Sequence, residues 1–436
     1  MKIKFWGVRG SIPAPLLAQD IKDKVLSALQ EIVRQGIELK TDADLATLAD
    51  SLQPEIVSTI GGNTTCISLE TEDLFIIFDA GSGMRDLGQY LMSREFGAGK
   101  GHACIFFTHT HWDHIQGFPF FVPAFVPGNQ FDIYHIHPYV PKVLAEQMQP
   151  EFFPAEFSRL DADIRFHQIE EGQEVVLGDL KINSLELYHP NKAYSYRVDN
   201  LNSSMVLATD GEYTRLDRAF MQRYYDFYRD ADVLIFDAQY SVREAIIKEE
   251  WGHSSGMFGA DIAKAANVKK LLLFHHDPTS TDAEIIHALA KTQEYLAKQT
   301  QPINQSVEVD VAVEGMEIDL DHVDAGRFSI EETQINQTLC LKLSGEFDGQ
   351  ASEIFARHLL DIMQAERSQR LVLDMAELDG LTMAGMSALL DARRQTYSMA
   401  LVNVPKDVYD VLELAGTTDF FAIYDRIEDA LGSYAG

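Results

Sequence analysis

The sequence predicts an α/β protein of two domains, and three observations carry that expectation. A chain of 436 residues exceeds the size at which a single core stops growing. Short β-type apolar runs alternate with helical patterns along most of it, and the texture changes to a polar stretch after Leu320 before a new strand and helix series begins. Five of the runs share one form: LFIIFDAGSG (74–83), ACIFFTHTH (103–111), MVLATDGE (205–212), VLIFDAQY (233–240) and KLLLFHHDP (270–278) are each an apolar strand followed at once by a polar, ligand-capable loop. Five strands thus deliver Asp, His or both to their C-terminal ends, where sheet-based enzymes assemble sites.

Taken in order, the start MKIKFWGVRGSIP lacks the sustained apolar region of a signal peptide, and no later segment reaches membrane-spanning length. A cytoplasmic location and no membrane partner are therefore expected. Residues 16–57 read as a helical insertion: Leu17, Ile21, Val25, Leu29 and Ile32 recur at roughly helical spacing, and Asp42 is a candidate N-cap for a second helix. The insertion is expected to pack on the body of the first domain as a cover, with a lid or dimer contact as the alternative. The first domain is assigned residues 1–320, a linker 321–332, and the second domain 333–436. Cys66, Cys104 and Cys340 are scattered and odd in number, which gives neither a disulfide framework nor a thiolate metal site. The net charge of −31 argues against a surface that grips long nucleic acid, because such surfaces neutralise phosphates with basic residues.

The densest chemistry is FFTHTHWDHIQG, residues 106–117. His109 and His111 lie two apart at a strand end and can point into one site, while Asp113 and His114 follow on the turn. Imidazoles mixed with carboxylates suit zinc, and also iron or manganese, better than calcium. Two such ions side by side can activate water and clamp both oxygens of a phosphoester.

THTHWDH resembles the metal motif of the metallo-β-lactamase superfamily. WGVRGSIP, GGNTTC, DAGSG, LYHP followed by YRV, ATDGE, WGHSS and VKKLLLFHHDP extend the likeness, in shared order, across roughly residues 1–320. Together they resemble the branch containing RNase Z and related cyclic-nucleotide phosphodiesterases. The resemblance implies an αβ/βα sandwich with two divalent metal ions, zinc first and manganese or iron as alternatives. By the same resemblance His109, His111 and His189 hold one ion, Asp113, His114 and His275 the other, and Asp210 bridges them. His253, of the GHS motif, sits near the scissile phosphate as acid or clamp, and Asp113 and His253 are the residues whose loss should cost turnover.

Three further residues stay open. Asp79 is either the acceptor that fixes the tautomer of a ligating imidazole or a turn residue. Asn63 either points its amide toward the site or simply makes the Gly61-Gly62-Asn63 turn, which is favoured. His276, beside the better-matching His275, is a candidate for supporting a ligand or touching substrate. His135 and His137 read as one face of a strand, and His102 and His167 carry no pattern.

Residues 333–436 resemble a STAS domain, the small β/α module of anti-sigma-factor antagonists, through TLCLKLSGEFDGQAS, FARHLLDIMQAE, RLVLDMAELDGLTMAGMSALLDARR and MALVNVPKDVYDVLELAGTTDFF. Members switched by phosphorylation carry Asp-Ser-Ser-Gly at the turn. Here Thr382-Met383-Ala384-Gly385 stands there, and Ala384 has no hydroxyl to accept phosphate. The expectation is a constitutive assembly surface, most simply a homodimer, with a signalling partner as the other use of a STAS module.

The functional expectation is a dinuclear phosphodiesterase acting on a small, cyclic or linear, nucleotide. A metal-dependent carbon-ester or thioester hydrolase and a signalling scaffold with weak hydrolase activity are the alternatives.

Overall fold

A computed structural model describes residues 1–35, 48, 52, 54–201, 203–213, 218–298, 307–320, 328–335, 338–347, 351–352, 355–356, 358–359, 362, 370–395 and 398–433. The chain divides into two compact units, residues 1–300 with 305–321, and residues 301–304 with 322–436.

The first unit holds two seven-stranded sheets. One is built from β1 (Lys2–Gly7), β2 (Cys66–Glu70), β3 (Phe75–Phe78), β4 (His102–Phe107), β5 (Gln130–His135) and β6 (Asp163–Gln168). The other runs through β7 (Val175–Leu177), β8 (Leu180–Leu187), β9 (Ala193–Asp199), β10 (Ser204–Ala208), β11 (Val233–Asp237), β12 (Lys270–Phe274) and β13 (Glu308–Val311), after which β14 (Glu317–Asp319) returns to the first sheet beside β1. β3 to β6 are parallel, as are β10 to β13, so their C-terminal ends lie together in each sheet.

Strands buried on both faces read as continuous apolar runs, and β4 is one. Its Ala103, Ile105 and Phe107 join the core that takes in Met84, Leu87 and Leu91 of the helix Met84–Met92. Phe106 points the other way and meets Tyr196 of β9 edge-on at 5.4 Å. The Tyr196 hydroxyl donates to the Phe107 carbonyl at 2.9 Å, so the two sheets are joined by a satisfied polar contact as well as by rings. Against the outer face of the second sheet pack the helices Arg218–Tyr228 and Gly256–Ala265.

The insertion forms a helix over Ala18–Gln35 and a short one over Pro54–Val57. Most of its apolar stripe is not buried: Leu17, Ile21, Val25 and Leu29 are exposed and Ile32 is half-buried, contrary to the expectation that they pack on the sandwich. What ties the helix down is polar. Lys24 Nζ sits 3.0 Å from Asp282 and donates to the Ser58 carbonyl at 2.8 Å. Asp42 lies outside the described residues.

In the second unit β15 (Ser329–Ile335) pairs antiparallel with β16 (Thr338–Phe347). β17 (Arg370–Leu381), β18 (Ser398–Val402) and β19 (Ala422–Tyr424) follow in parallel. β15 begins inside the stretch read as linker. The helix Met383–Gln395 buries Met386 and Leu389 among Leu341, Leu373 and Phe347. The side chains of Met383 and Ala384 lie outside the described residues. Among the described residues no helix is long and apolar enough to cross a membrane.

Candidate metal centre

The ends of β3, β4, β8, β10, β11 and β12 converge here, and the backbone turns sharply at three of them. Asp79 after β3, Asp210 after β10 and His275 after β12 take φ of 59°, 57° and 58°, the left-handed region that costs a non-glycine residue conformational energy. Each such turn swings a side chain off the sheet into the space beyond the strands.

There the residues read from the sequence as ligands come together in two groups. His109, His111 and His189 offer ring nitrogens within 4.8 Å of one another, and Asp113, His114, Asp210 and His275 do the same. Asp210 joins the groups. Its Oδ1 lies 3.9 Å from His109 Nε2 and 3.8 Å from His189 Nε2, and its Oδ2 lies 3.1 Å from His114 Nε2 and 3.4 Å from His275 Nε2.

Four of the five clustered histidines have their outward ring nitrogen tied to an acceptor, which sets which nitrogen faces in, while His111 Nδ1 lies 3.0 Å from His189 Nε2. His114 Nδ1 meets Asp79 Oδ2 at 2.8 Å, His189 Nδ1 the Gly252 carbonyl at 2.9 Å, and His275 Nδ1 Gln239 Oε1 at 3.0 Å. Thr108 donates its hydroxyl to Asp79 at 2.7 Å and so accepts from His109 Nδ1 at 3.1 Å. The inward Nε2 atoms of His109 and His114 are buried without a hydrogen-bond partner. Lone pairs aimed at carboxylate oxygens at these distances repel unless a proton or a metal cation stands between them, and the mixed imidazole and carboxylate donors fit divalent metal ions.

Charge within the cluster says the same. Burial and the neighbouring imidazoles hold His109 well below its ordinary range, and burial takes His189 down to about 4. Both shifts favour the neutral imidazole, the ligating form. Burial works against the charged forms of His114 and His275 too, yet Asp210 and Asp113 outweigh it, raising His114 well above the ordinary value and His275 to about 9. The second group thus demands positive charge, as protons or as a metal cation.

His253 stands beside the cluster, its Nδ1 on Asp237 Oδ2 at 2.8 Å and 3.9 Å from Asp210 Oδ1. A cavity of about 460 Å³ opens over the centre, lined by Ser11, Thr110, His111, Trp112, Asp113, Asp210 and His253.

Two of the open residues point elsewhere. Asn63 bonds Asp86 at 3.0 Å and accepts from Ser82 at 2.9 Å, bracing its turn against the DAGSG loop rather than entering the cluster. The His276 ring lies on the Ala312 carbonyl at 3.2 Å, and its own backbone holds Gly10 at 2.9 Å. It is not among the clustered nitrogens. His135 and His137 are buried and bond the carbonyls of His137 and Lys192. A further grouping of His102, Cys104 and Asp132 lies on β4 and β5. There Asp132 already receives His102 and His167 at 2.7 Å each and Arg165 at 3.2 Å, which satisfies the carboxylate without an ion.

Burial pushes the His276 imidazole down to about 3 even though the Ala312 carbonyl holds its ring. A folded value below the unfolded one means that acid favours unfolding: stability is intact above about 6.5 and falls as pH drops toward 3. His276→Gln, which keeps a donor and cannot titrate, is expected to lose about 2 kcal/mol less than the parent between pH 7 and pH 5, measured by urea unfolding.

Beyond the residues to which the sequence assigns a role, several support the cluster. Asp237 receives the Asp210 backbone N–H at 3.1 Å as well as His253, and its position at the end of VLIFD, like Asp79 at the end of LFIIFD, was the available signal. The Ser11 N–H donates to Asp113 at 2.7 Å from the far end of the domain's sequence. Gly10 and Gly252 are required by close approach, since a Cβ on either would lie 2.4 Å from the His275 ring or 2.1 Å from that of His189.

Residues 75–276 match the family model described as the Beta-lactamase superfamily domain, and residues 329–430 that of the STAS domain. A ribonuclease Z from Thermoplasma acidophilum is 24% identical over 50% of this chain and 82% of its own length. One from Prochlorococcus marinus is 26% identical over 41% and 71%. Among solved structures, the short form of human tRNase Z covers 73% of this chain and 98% of its own at 17% identity, with a TM-score of 0.46. With its strand-end cluster of histidines and aspartates, the first unit is a metallo-β-lactamase superfamily domain of the metal-dependent hydrolase kind, and the second is a STAS domain.

Proposed function

We propose that the protein is a dinuclear phosphodiesterase acting on a small nucleotide, cyclic or linear, with zinc as the first candidate metal. The observation that carries this reading is one carboxylate, Asp210, turning an oxygen toward each of two histidine groups with His253 beside them. Divalent ions bound there would supply Lewis acidity at a phosphoryl oxygen and bring the ionisation of water toward neutral pH.

His109, His111 and His189 would hold one ion and Asp113, His114 and His275 the other, with Asp210 offering an oxygen to each group. Asp79 keeps His114 in the tautomer that ligates. Asp237 keeps Nδ1 of His253 occupied, so Nε2 is the atom available to protonate a leaving oxygen or hold a phosphoryl oxygen. Asp79→Asn removes an acceptor from this array and is expected to weaken divalent-metal binding about 10- to 100-fold, read by competition with a chelator.

The ribonucleases Z among the relatives favour a phosphodiester over a carbon ester or thioester. The charge of −31 favours a small substrate over long RNA. Free, buried cysteines suit the reducing cytoplasm. The STAS domain is assigned assembly or signalling, most simply as a constitutive homodimer, because Ala384 offers no phosphate acceptor.

The test is turnover of metal-reconstituted protein on cyclic nucleotides, linear dinucleotides, precursor tRNA, lactones and thioesters. Preference for lactone or thioester would overturn the reading, and preference for precursor tRNA would overturn its substrate class. Removal of residues 322–436, followed by light scattering and turnover, tests the STAS role: unchanged mass and unchanged regulation would remove it.

A further inference from the structure

The chain has three tryptophans, and they are treated very differently by the fold. Trp6 is half-buried and donates its indole N–H to Ser68 at 2.8 Å. Trp112 and Trp251 stand 82% and 64% exposed. Large aromatic side chains gain more from burial than almost any others, so two of them left in water, one lining the cavity over the centre and one preceding the glycine that holds His189, call for a reason.

Neither exposure comes from a loose segment. Trp112 lies between His111 and Asp113 and opens the short helix Trp112–Ile115, where its carbonyl accepts from the Gln116 N–H at 2.8 Å. It lines the cavity over the metal centre. Trp251 sits on a turn pinned from both sides: the N–H groups of Glu250 and Gly252 donate to the buried Glu212 carboxylate at 3.0 and 2.8 Å. The carbonyl of Gly252 in turn holds His189 at 2.9 Å. Both indoles are therefore carried on backbone that also fixes the candidate ligands.

We propose that Trp112 and Trp251 form a nucleobase-stacking subsite flanking the metal centre, so that the phosphodiester cleaved there carries an aromatic base. The inference rests on the phosphodiesterase reading and specifies its substrate. Stacking recognises the π-face that every base presents and needs no basic groove, which suits a chain of net charge −31. The cluster would take the phosphate, and an indole the base next to it.

The experiment compares two esters with the same leaving group, thymidine 5′-p-nitrophenyl phosphate and methyl p-nitrophenyl phosphate, on the full-length, metal-reconstituted protein. Trp112→Ala and Trp251→Ala are each expected to lower the nucleoside-to-methyl ratio of kcat/KM on the order of 10-fold, with Trp112→Phe and Trp251→Phe recovering most of it. A second readout does not depend on turnover. AMP should quench the intrinsic fluorescence saturably, and the double variant Trp112→Ala/Trp251→Ala, left with Trp6 alone, should lose the response. An unchanged ratio, or a quench that survives in the double variant, overturns the subsite. Failure of both esters to turn over while AMP still quenches through these two residues overturns the phosphodiesterase reading instead and leaves the base site standing.

Discussion

Asp210→Asn is expected to bind fewer than two metal ions per chain and to lose at least about 1,000-fold in turnover, the scale on which removing one essential member of a catalytic unit is felt. The amide has nearly the shape of the carboxylate, so the fold is kept while the charge goes. Asp210 is wholly buried, and the imidazoles of His275, His114 and His109 hold its acid well below the usual carboxylate range despite that burial. Its two oxygens face different histidine groups, and a neutral side chain cannot stabilise positive charge in both. Elemental analysis after dialysis, with circular dichroism to confirm folding, checks the outcome. Two ions in a fully active variant would sink the bridging assignment.

His253→Ala should behave differently: both ions stay and the rate on phosphodiesters falls about 100-fold or more. The ring stacks on His275 with centroids 5.1 Å apart and lies 3.9 Å from Asp210, while Asp237 anchors it at 2.8 Å. If its work is proton donation, an ester with a nitrophenolate leaving group, which needs no proton, loses less. Equal losses on both kinds of ester would make it a clamp on the phosphoryl oxygens. A fall in metal content would remove His253 from either role and make it a ligand.

Much of this centre could be read from the sequence because its parts are local. LFIIFD, ACIFFTHTH, MVLATD and KLLLFHH each state a strand and the donors at its end within ten residues, and strand period and donor chemistry depend only on near neighbours. The seven residues His109, His111, Asp113, His114, His189, Asp210 and His275 are all brought together in the two groups. The helix over residues 18–35 was legible from spacing for the same reason. Its burial was not, because periodicity describes the helix and says nothing of what lies against it.

Of two adjacent histidines, only the folded chain decides which faces the cluster. The left-handed turn at His275 aims that ring at Asp113 and Asp210 and leaves His276 on the Ala312 carbonyl, a contact made 36 residues away. Asp237 with His253, Gly252 with His189 and Ser11 with Asp113 are separated by 16, 63 and 102 residues. The sequence by itself determined which donors exist and on which strand ends they stand. Which donor meets which acceptor was decided by tertiary structure, since sheet pairing and left-handed strand ends, rather than neighbours in the chain, set those distances.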